Sequence, residues 1–323
     1  MTNLALTLTC ADYPRVMPLV TRQVKPAGVD LTLLVGTNGS WPERAEMLRR
    51  ALHDPAVQGG EQSMMIHLSR IDKKDRSHVG LPIFPLRNFT ARDLYVRRDG
   101  KIKTPADLQG CRLGMYGWGN SGSIWYRHFL RYLGVDLAKI QWCIGSVDTP
   151  TPATTTPPPG VATPPEGGTL SKMLIEGELD AIYSPPKPRD YHPTNGPIAR
   201  LFEDYKPIEK KYFTDTHAYP PQHLILLRRA VWEANKWLAP ALTTAFNAAE
   251  TMFVNQMRGF PYSTPWQEAD LAETESLMTA DFHGNGYEKN RAAIEIFCNQ
   301  AHEVGLTQRR VSPEEYFEEF LAS

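Results

Sequence analysis

The chain has 323 residues and nowhere a run of 18 apolar ones, so a membrane-spanning helix is excluded. It has almost no net charge: 35 basic and 36 acidic residues leave −1. No electrostatic case arises for nucleic acid or for an anionic membrane surface. The start, Met1-Thr2-Asn3-Leu4, lacks a basic stretch followed by a long apolar one, and polar Cys10-Ala11-Asp12 follows at once. The expectation is a cytoplasmic chain without a secretory leader, although a mature chain trimmed of its leader would read the same way. Cysteine is scarce. Cys10, Cys111, Cys143 and Cys298 stand far apart with no CxxC spacing, which argues against zinc or iron–sulfur ligation and for reduced core thiols. No HxxxH-type ligand set and no internal repeat is visible.

What is present points to two domains, since single cores stop growing near 250–300 residues. Proline is abundant, 27 residues, and twelve of them fall between Pro150 and Pro197. The stretch Thr149–Gly168 reads as an extended, polyproline-like excursion within one domain, because strand and helix signals resume directly after it. Elsewhere strand and helix patterns alternate. Strands are expected at Leu4–Thr9, Val29–Val35, Val79–Leu86, Asp93–Val96, Cys111–Met115, Ile140–Ile144, Asp180–Tyr183 and His223–Leu227. Helices are expected at Arg44–Leu52, Ser63–Ile71, from Thr104, at Ser121–Leu133 and at Thr169–Ile175. From Ala230 onward the chain is helical in character, with Leu238–Gln256, Asp270–Thr279, Tyr287–Val304 and Pro313–Phe320 as separate helices. The class is α/β with mostly parallel sheets, and the late helices must cover a sheet built earlier.

Several segments, taken in order, resemble one family. They are Leu8-Thr9-Cys10-Ala11-Asp12-Tyr13, Gly28-Val29-Asp30-Leu31, Gly60-Glu61-Gln62-Ser63, Leu81–Phe89 and Leu94-Tyr95-Val96. Further along come Thr104–Gly110, Trp125-Tyr126-Arg127, Leu170–Leu174, Gly177–Ala181, Phe202–Tyr205, His223, Asn290-Arg291 and Gly305-Leu306. The whole chain resembles the 4,5-dihydroxyphthalate decarboxylase family, a branch of the type 2 periplasmic-binding-protein fold. The resemblance implies two α/β lobes joined by two crossover strands, Arg92–Arg97 and Gln222–Arg228, with a ligand cleft between them. Lobe I would be discontinuous, residues 1–90 and 225–323, with the helical tail wrapping back onto it; lobe II would be residues 91–224. Two departures are notable. The family's Pro-Trp-Pro-Tyr-Gly-like stretch is replaced by Asp281-Phe282-His283-Gly284-Asn285-Gly286-Tyr287, and Gln62 stands where a hydrophobic residue is usual.

Losing CO2 from an aromatic ring needs a ring hydroxyl as electron source, a proton delivered to carbon and a grip on the carboxylate. Among nine histidines, His223 is the first candidate for proton transfer, placed at the cleft floor by the resemblance. His67, one turn beyond Ser63, and His283, in the divergent segment, are the others, and Glu61 is the carboxylate candidate. Arg87 and Arg127 are the candidate carboxylate clamps, because the planar guanidinium fork matches two oxygens. Tyr116–Ser123 follows a strand and opens a helix, so its backbone N–H groups form an anion site to which Trp118, Asn120, Ser121 and Ser123 belong. Gly117, Gly119 and Gly122 spell GxGxxG, but no acidic residue closes a following strand as a dinucleotide site requires. Trp41, Trp118 and Trp125 could stack on an aromatic ligand, whereas Trp232, Trp237 and Trp266 read as helix-packing residues.

Two functions fit this pattern. One is a cofactor-independent decarboxylase of a hydroxylated aromatic acid; the other is a solute-binding protein that clamps such an acid unchanged. The expected partner is a small aromatic carboxylate, with neither nucleic acid nor membrane. Self-association and a loosely held divalent cation are left open.

Overall fold

The computed structural model describes residues 2–37, 39–151, 156–260 and 263–323. The chain divides into two compact units: unit 1 is Met1–Arg87 with Pro221–Ser323, and unit 2 is Asn88–Pro220. These limits fall a few residues before those expected from the sequence. The reason is local: Arg87 and Pro221 still form an antiparallel bridge, and this keeps His223 in unit 1 rather than unit 2.

Unit 1 is built on a five-stranded sheet of order β2-β1-β3-β10-β4. Its strands are β1 (Leu4–Cys10), β2 (Val29–Val35), β3 (Gly59–Ser63), β4 (His78–Leu81) and β10 (His223–Arg228). The alternation in Leu-Ala-Leu-Thr-Leu-Thr-Cys sends Leu6, Leu8 and Cys10 into the core. β1 runs parallel to β2 over its whole length, Leu4 opposite Val29 through Cys10 opposite Val35. β3 lies parallel to β1 and antiparallel to β10. Its Gly-Gly-Glu-Gln-Ser sequence carries no strand pattern, yet the glycines are required. A Cβ on Gly59 would lie 2.1 Å from the Leu226 carbonyl oxygen, and one on Gly60 would lie 2.4 Å from that of Thr9. Only glycine lets this strand pass between its neighbours and present the residue that follows, Glu61.

The expected strand Val79–Leu86 stops at Leu81, because Pro82 and Pro85 lack the N–H a ladder needs. The helix Leu238–Gly259 packs on the sheet through Leu238, Ala239, Leu242, Ala245, Phe246 and Ala249, a stripe at three- and four-residue spacing. The expected helix Pro313–Phe320 is two short ones, Pro313–Tyr316 and Glu318–Leu321. Of the tryptophans expected to pack there, Trp232 is buried, but Trp237 and Trp266 are 44% and 72% exposed.

Unit 2 carries a second five-stranded sheet, order β7-β6-β8-β5-β9, made of β5 (Leu94–Arg97), β6 (Arg112–Met115), β7 (Gln141–Ile144), β8 (Ala181–Tyr183) and β9 (Ile198–Arg200). The wiring repeats that of unit 1 with no repeat in the sequence: the second, first, third and fourth strands in chain order, with one antiparallel strand inserted. That strand is β10 in unit 1 and β5 in unit 2, in each case the first after the chain changes unit. The turn expected from Thr104 is a single 3-10 turn closed by a capping box between Thr104 and Asp107. The proline-rich excursion belongs to unit 2. Ala162 bridges to Cys143 beside the sheet, and residues 152–155 lie outside the described ones.

Candidate active site

In unit 1 the carboxyl ends of the parallel strands β1, β3 and β4 and the amino end of β10 share one edge of the sheet, the edge where open α/β sheets bind ligands. Glu61, on β3, is 1% exposed. Its Oε1 accepts the Nδ1–H of His223 at 2.5 Å and the Tyr13 hydroxyl at 2.7 Å. Its Oε2 accepts the Ala11 N–H at 2.7 Å and the Cys10 thiol at 3.5 Å. Burial alone would raise the pKa of this carboxyl; the bonds and charge of His223, with Ala11 N–H and Tyr13, outweigh it and hold the group below the ordinary glutamate value. An acceptor-only carboxylate fixes the tautomer: Nδ1 of His223 carries the proton, and Nε2 faces no hydrogen-bond partner among the described residues. The same carboxylate, with burial, drives Tyr13 and Cys10 well above their ordinary values, so both are neutral donors and Cys10 is no thiolate nucleophile. All four cysteines are free and buried.

Beside this cluster lies Arg15, on the turn after β1, which the sequence reading did not single out. Its guanidinium sits 5.2 Å from the centre of the Tyr13 ring. The side chain is 13% exposed, and buried Nε and Nη2 have no hydrogen-bond partner among the described residues. Glu250 Oε1, at 3.7 Å, is an ionic neighbour only. Burial pushes Glu250 up to about 7, although Arg15 and Arg87 pull the other way. Glu250 and His283 help to line a pocket of about 170 Å³ between the helix Leu238–Gly259 and the segment 280–284.

Arg87 is buried, stacked at 4.8 Å over Phe84, and its Nη2 donates to Asn290 Oδ1 at 2.6 Å and to the Gly284 carbonyl at 3.2 Å. Asn290 in turn donates to the carbonyls of Gly284 and Gly286, and Asn285 accepts the N–H of Phe84. The segment Leu81–Phe89, the divergent segment 281–287 and Asn290 thus meet in one network centred on Arg87. His283 lies at its border, burial holding its imidazole well below the ordinary histidine value. His67 stands apart: its Nε2 bonds the Tyr316 carbonyl at 3.0 Å, its ring packs edge-on against Tyr316, and burial lowers it to about 4. A Cβ on Gly80 would strike that ring at 2.4 Å. Its surroundings are those of a neutral packing residue.

In unit 2 the loop after β6 leads into the helix Ser121–Tyr132. Asn120 is the N-cap and accepts the Ser123 N–H at 2.9 Å, while the Ser123 hydroxyl donates to the Gly117 carbonyl. Asn120 and Ser123 thus close the turn, and Ser121 is 2% exposed. Arg127 is 1% exposed and lies 3.7 Å over the ring of Trp118, with Trp142 at 5.7 Å. Its Nη1 donates to the Trp118 carbonyl; buried Nε and Nη2 have no partner among the described residues. Burial without a counter-charge lowers the guanidinium to about 9. Each unpaired buried donor costs about 1–3 kcal/mol. Trp125 is buried, and Trp41's side chain lies outside the described ones. Next to the loop, Tyr116, Gly117 and Ile144–Ser146 join the excursion in lining a pocket of about 520 Å³. Among the described residues no group of three His, Cys, Asp or Glu could hold a metal, and no helix is long and apolar enough to cross a membrane.

No family model matches the chain. Among curated proteins, 4,5-dihydroxyphthalate decarboxylase of Comamonas testosteroni is 28% identical over 326 residues, 98% of this chain and 97% of that one. The protein of the same name from Pseudomonas putida is 28% identical over 214 residues, 63% of this chain and 79% of that one. Among solved structures, the periplasmic aliphatic sulphonate binding protein SsuA of Escherichia coli superposes with a TM-score of 0.55 at 17% identity, over 98% of this chain and 92% of that one. The alkanesulfonate-binding protein SsuA of Xanthomonas axonopodis pv. citri gives 0.51 at 13% identity, over 98% of both. Both the resemblance and the fold class read from the sequence are borne out. The chain is similar from end to end to 4,5-dihydroxyphthalate decarboxylase and has the fold of the periplasmic binding proteins.

Proposed function

We propose that the chain is a decarboxylase of a hydroxylated aromatic carboxylic acid of the 4,5-dihydroxyphthalate kind, working without a cofactor. The observation that carries this reading is the 2.5 Å contact between Glu61 Oε1 and His223 Nδ1 at the ligand-binding edge of unit 1. A buried carboxylate that fixes the tautomer of a histidine and stabilises its charged form is a proton-transfer pair, which a protein that only holds its ligand does not need.

In this reading a ring hydroxyl ortho or para to the carboxylate supplies the electron pair. His223 Nε2 delivers a proton to the carboxylate-bearing ring carbon while Glu61 stabilises the imidazolium before transfer. The C–C bond to the carboxylate then breaks, its electrons restore the aromatic ring, and CO2 leaves. The balance is one proton taken up and one CO2 released per ring. Arg87 is assigned to holding the segment 284–290 in place.

The test is incubation of purified protein with 4,5-dihydroxyphthalate and hydroxylated benzoates, following CO2 release and calorimetric binding together. Release of CO2 with a new ring C–H is expected. Tight binding with no CO2 and no other product transfers the protein to the solute-binding class.

A further inference from the structure

The edge of unit 1 that holds the Glu61–His223 pair also holds a cation that the reaction as described leaves unused. Arg15 stands on the turn Pro14–Val16, two residues beyond Tyr13. Tyr13 connects the two groups: its hydroxyl donates to the Glu61 oxygen that also receives His223, and its ring lies under the Arg15 guanidinium. The other arginines nearby are engaged. Arg44 Nε donates to Asp12 at 3.1 Å, and Arg87 Nη2 is held by Asn290 and Gly284. Arg15 keeps Nε and Nη2 buried, with no hydrogen-bond partner among the described residues and with Glu250 beyond hydrogen-bond distance.

We infer that the Nε–Nη2 edge of Arg15 binds a carboxylate of the ligand beside the Glu61–His223 pair. The two donors lie side by side in one plane, the geometry that takes both oxygens of a carboxylate. Glu250 is a poor competitor, since burial keeps it partly protonated near neutral pH. Arg15 is in this sense a specificity residue: it selects a ring that carries a carboxylate over the same ring without one. The inference rests on reading this edge as the ligand site and does not depend on turnover.

The test is calorimetry of 4,5-dihydroxyphthalate against catechol, with the wild type, Arg15→Gln and Arg15→Lys. The wild type is expected to prefer the acid by about 100-fold or more. Arg15→Gln lowers that preference at least tenfold while catechol binding stays within about twofold, and Arg15→Lys, which keeps the charge and loses the fork, falls between. A wild type with no preference, or an Arg15→Gln protein that keeps it, overturns the inference. Should Arg15→Gln show no cooperative thermal transition, Arg15→Lys decides alone: wild-type preference there overturns it. Acid bound but never decarboxylated contradicts the enzyme reading and leaves Arg15 in its role. Turnover with an undiminished preference in Arg15→Gln does the reverse.

Discussion

The two units have the same strand wiring, but the buried acid at the ligand-binding edge of unit 1 is treated unlike the buried acids of unit 2. In unit 1 Glu61 is fully buried yet held below the ordinary glutamate value, because His223, Ala11 N–H, Tyr13 and Cys10 all point at it. In unit 2 Asp93 and Glu209 are buried as well, and both are pushed up to about 7, because burial outweighs what Arg92 and their few hydrogen bonds return. Arg127, also in unit 2, has no acid beside it among the described residues. Burial alone therefore does not decide the charge state of a carboxyl; the number of donors aimed at it does. Unit 1 has a pre-formed acid–base pair, and unit 2 has an unmatched cation.

That contrast can be broken at four places. The largest effect is expected at Glu61. Glu61→Ala strips four donors of their acceptor, and removing one partner of a buried pair costs about 3–5 kcal/mol, measured as a fall in the urea midpoint. Arg87→Ala should cost about 1–3 kcal/mol, since it leaves buried Asn290 Oδ1 without its donor and takes one of two donors from the Gly284 carbonyl. Arg309→Ala, which breaks a half-exposed pair with Glu315 and a 3.3 Å bond to the Ile71 carbonyl, should cost about 0–1 kcal/mol by the same measurement. Equal effects would place Arg87 outside the buried network. Arg127→Met should leave the ligand-free protein as stable or about 1 kcal/mol more stable, because an uncompensated buried cation is replaced by an apolar chain. A large loss of stability would mean Arg127 is a structural residue.

The smallest effect concerns pH. Asp93 and Glu209 hold their protons up to about pH 7 when folded, whereas unfolded carboxyls release them near pH 4. Their contribution to stability is therefore complete below about pH 4 and is lost as pH rises through about 7. Asp93→Asn should flatten its share of that slope by about 1 kcal/mol between pH 6 and pH 7.5, read as the change in urea midpoint between the two. His67, His78 and His128, each lowered to about 4, act in the opposite sense, losing stability as pH falls below the ordinary histidine value. The comparison of variant with wild type cancels their part.

Much of this molecule was legible in the sequence. Leu4–Cys10 and Val29–Val35 show apolar alternation, and Ser121–Tyr132 has a helical period with a strong cap, so these elements emerge from local pattern. β3 does not, because Gly59-Gly60-Glu61-Gln62-Ser63 looks like a turn; the glycines answer to contacts with Leu226 and Thr9, which are distant in sequence. His223 and Glu61 were each legible as candidates, but their pairing across 162 residues arises only from the antiparallel register of β10 on β3. Arg15 was missed because a lone arginine after a proline has no local signature. Its meaning comes from the Tyr13 ring beneath it and from Glu250, on a helix far down the chain. For Asn120 and Ser123 the sequence leaves capping and ligand contact open; the loop uses both on itself, which side-chain direction rather than residue type decides.

The central claim is that the Glu61–His223 pair transfers the proton that replaces the carboxylate. The direct measurement is CO2 release from 4,5-dihydroxyphthalate by wild type and His223→Gln, with calorimetric binding of the same acid to both. Glutamine keeps the approximate size and a hydrogen-bonding head but shuttles no proton near neutral pH. The pair predicts that turnover falls by about 10²-fold or more while affinity stays within a few-fold. Wild-type turnover in His223→Gln, with affinity unchanged, would contradict it.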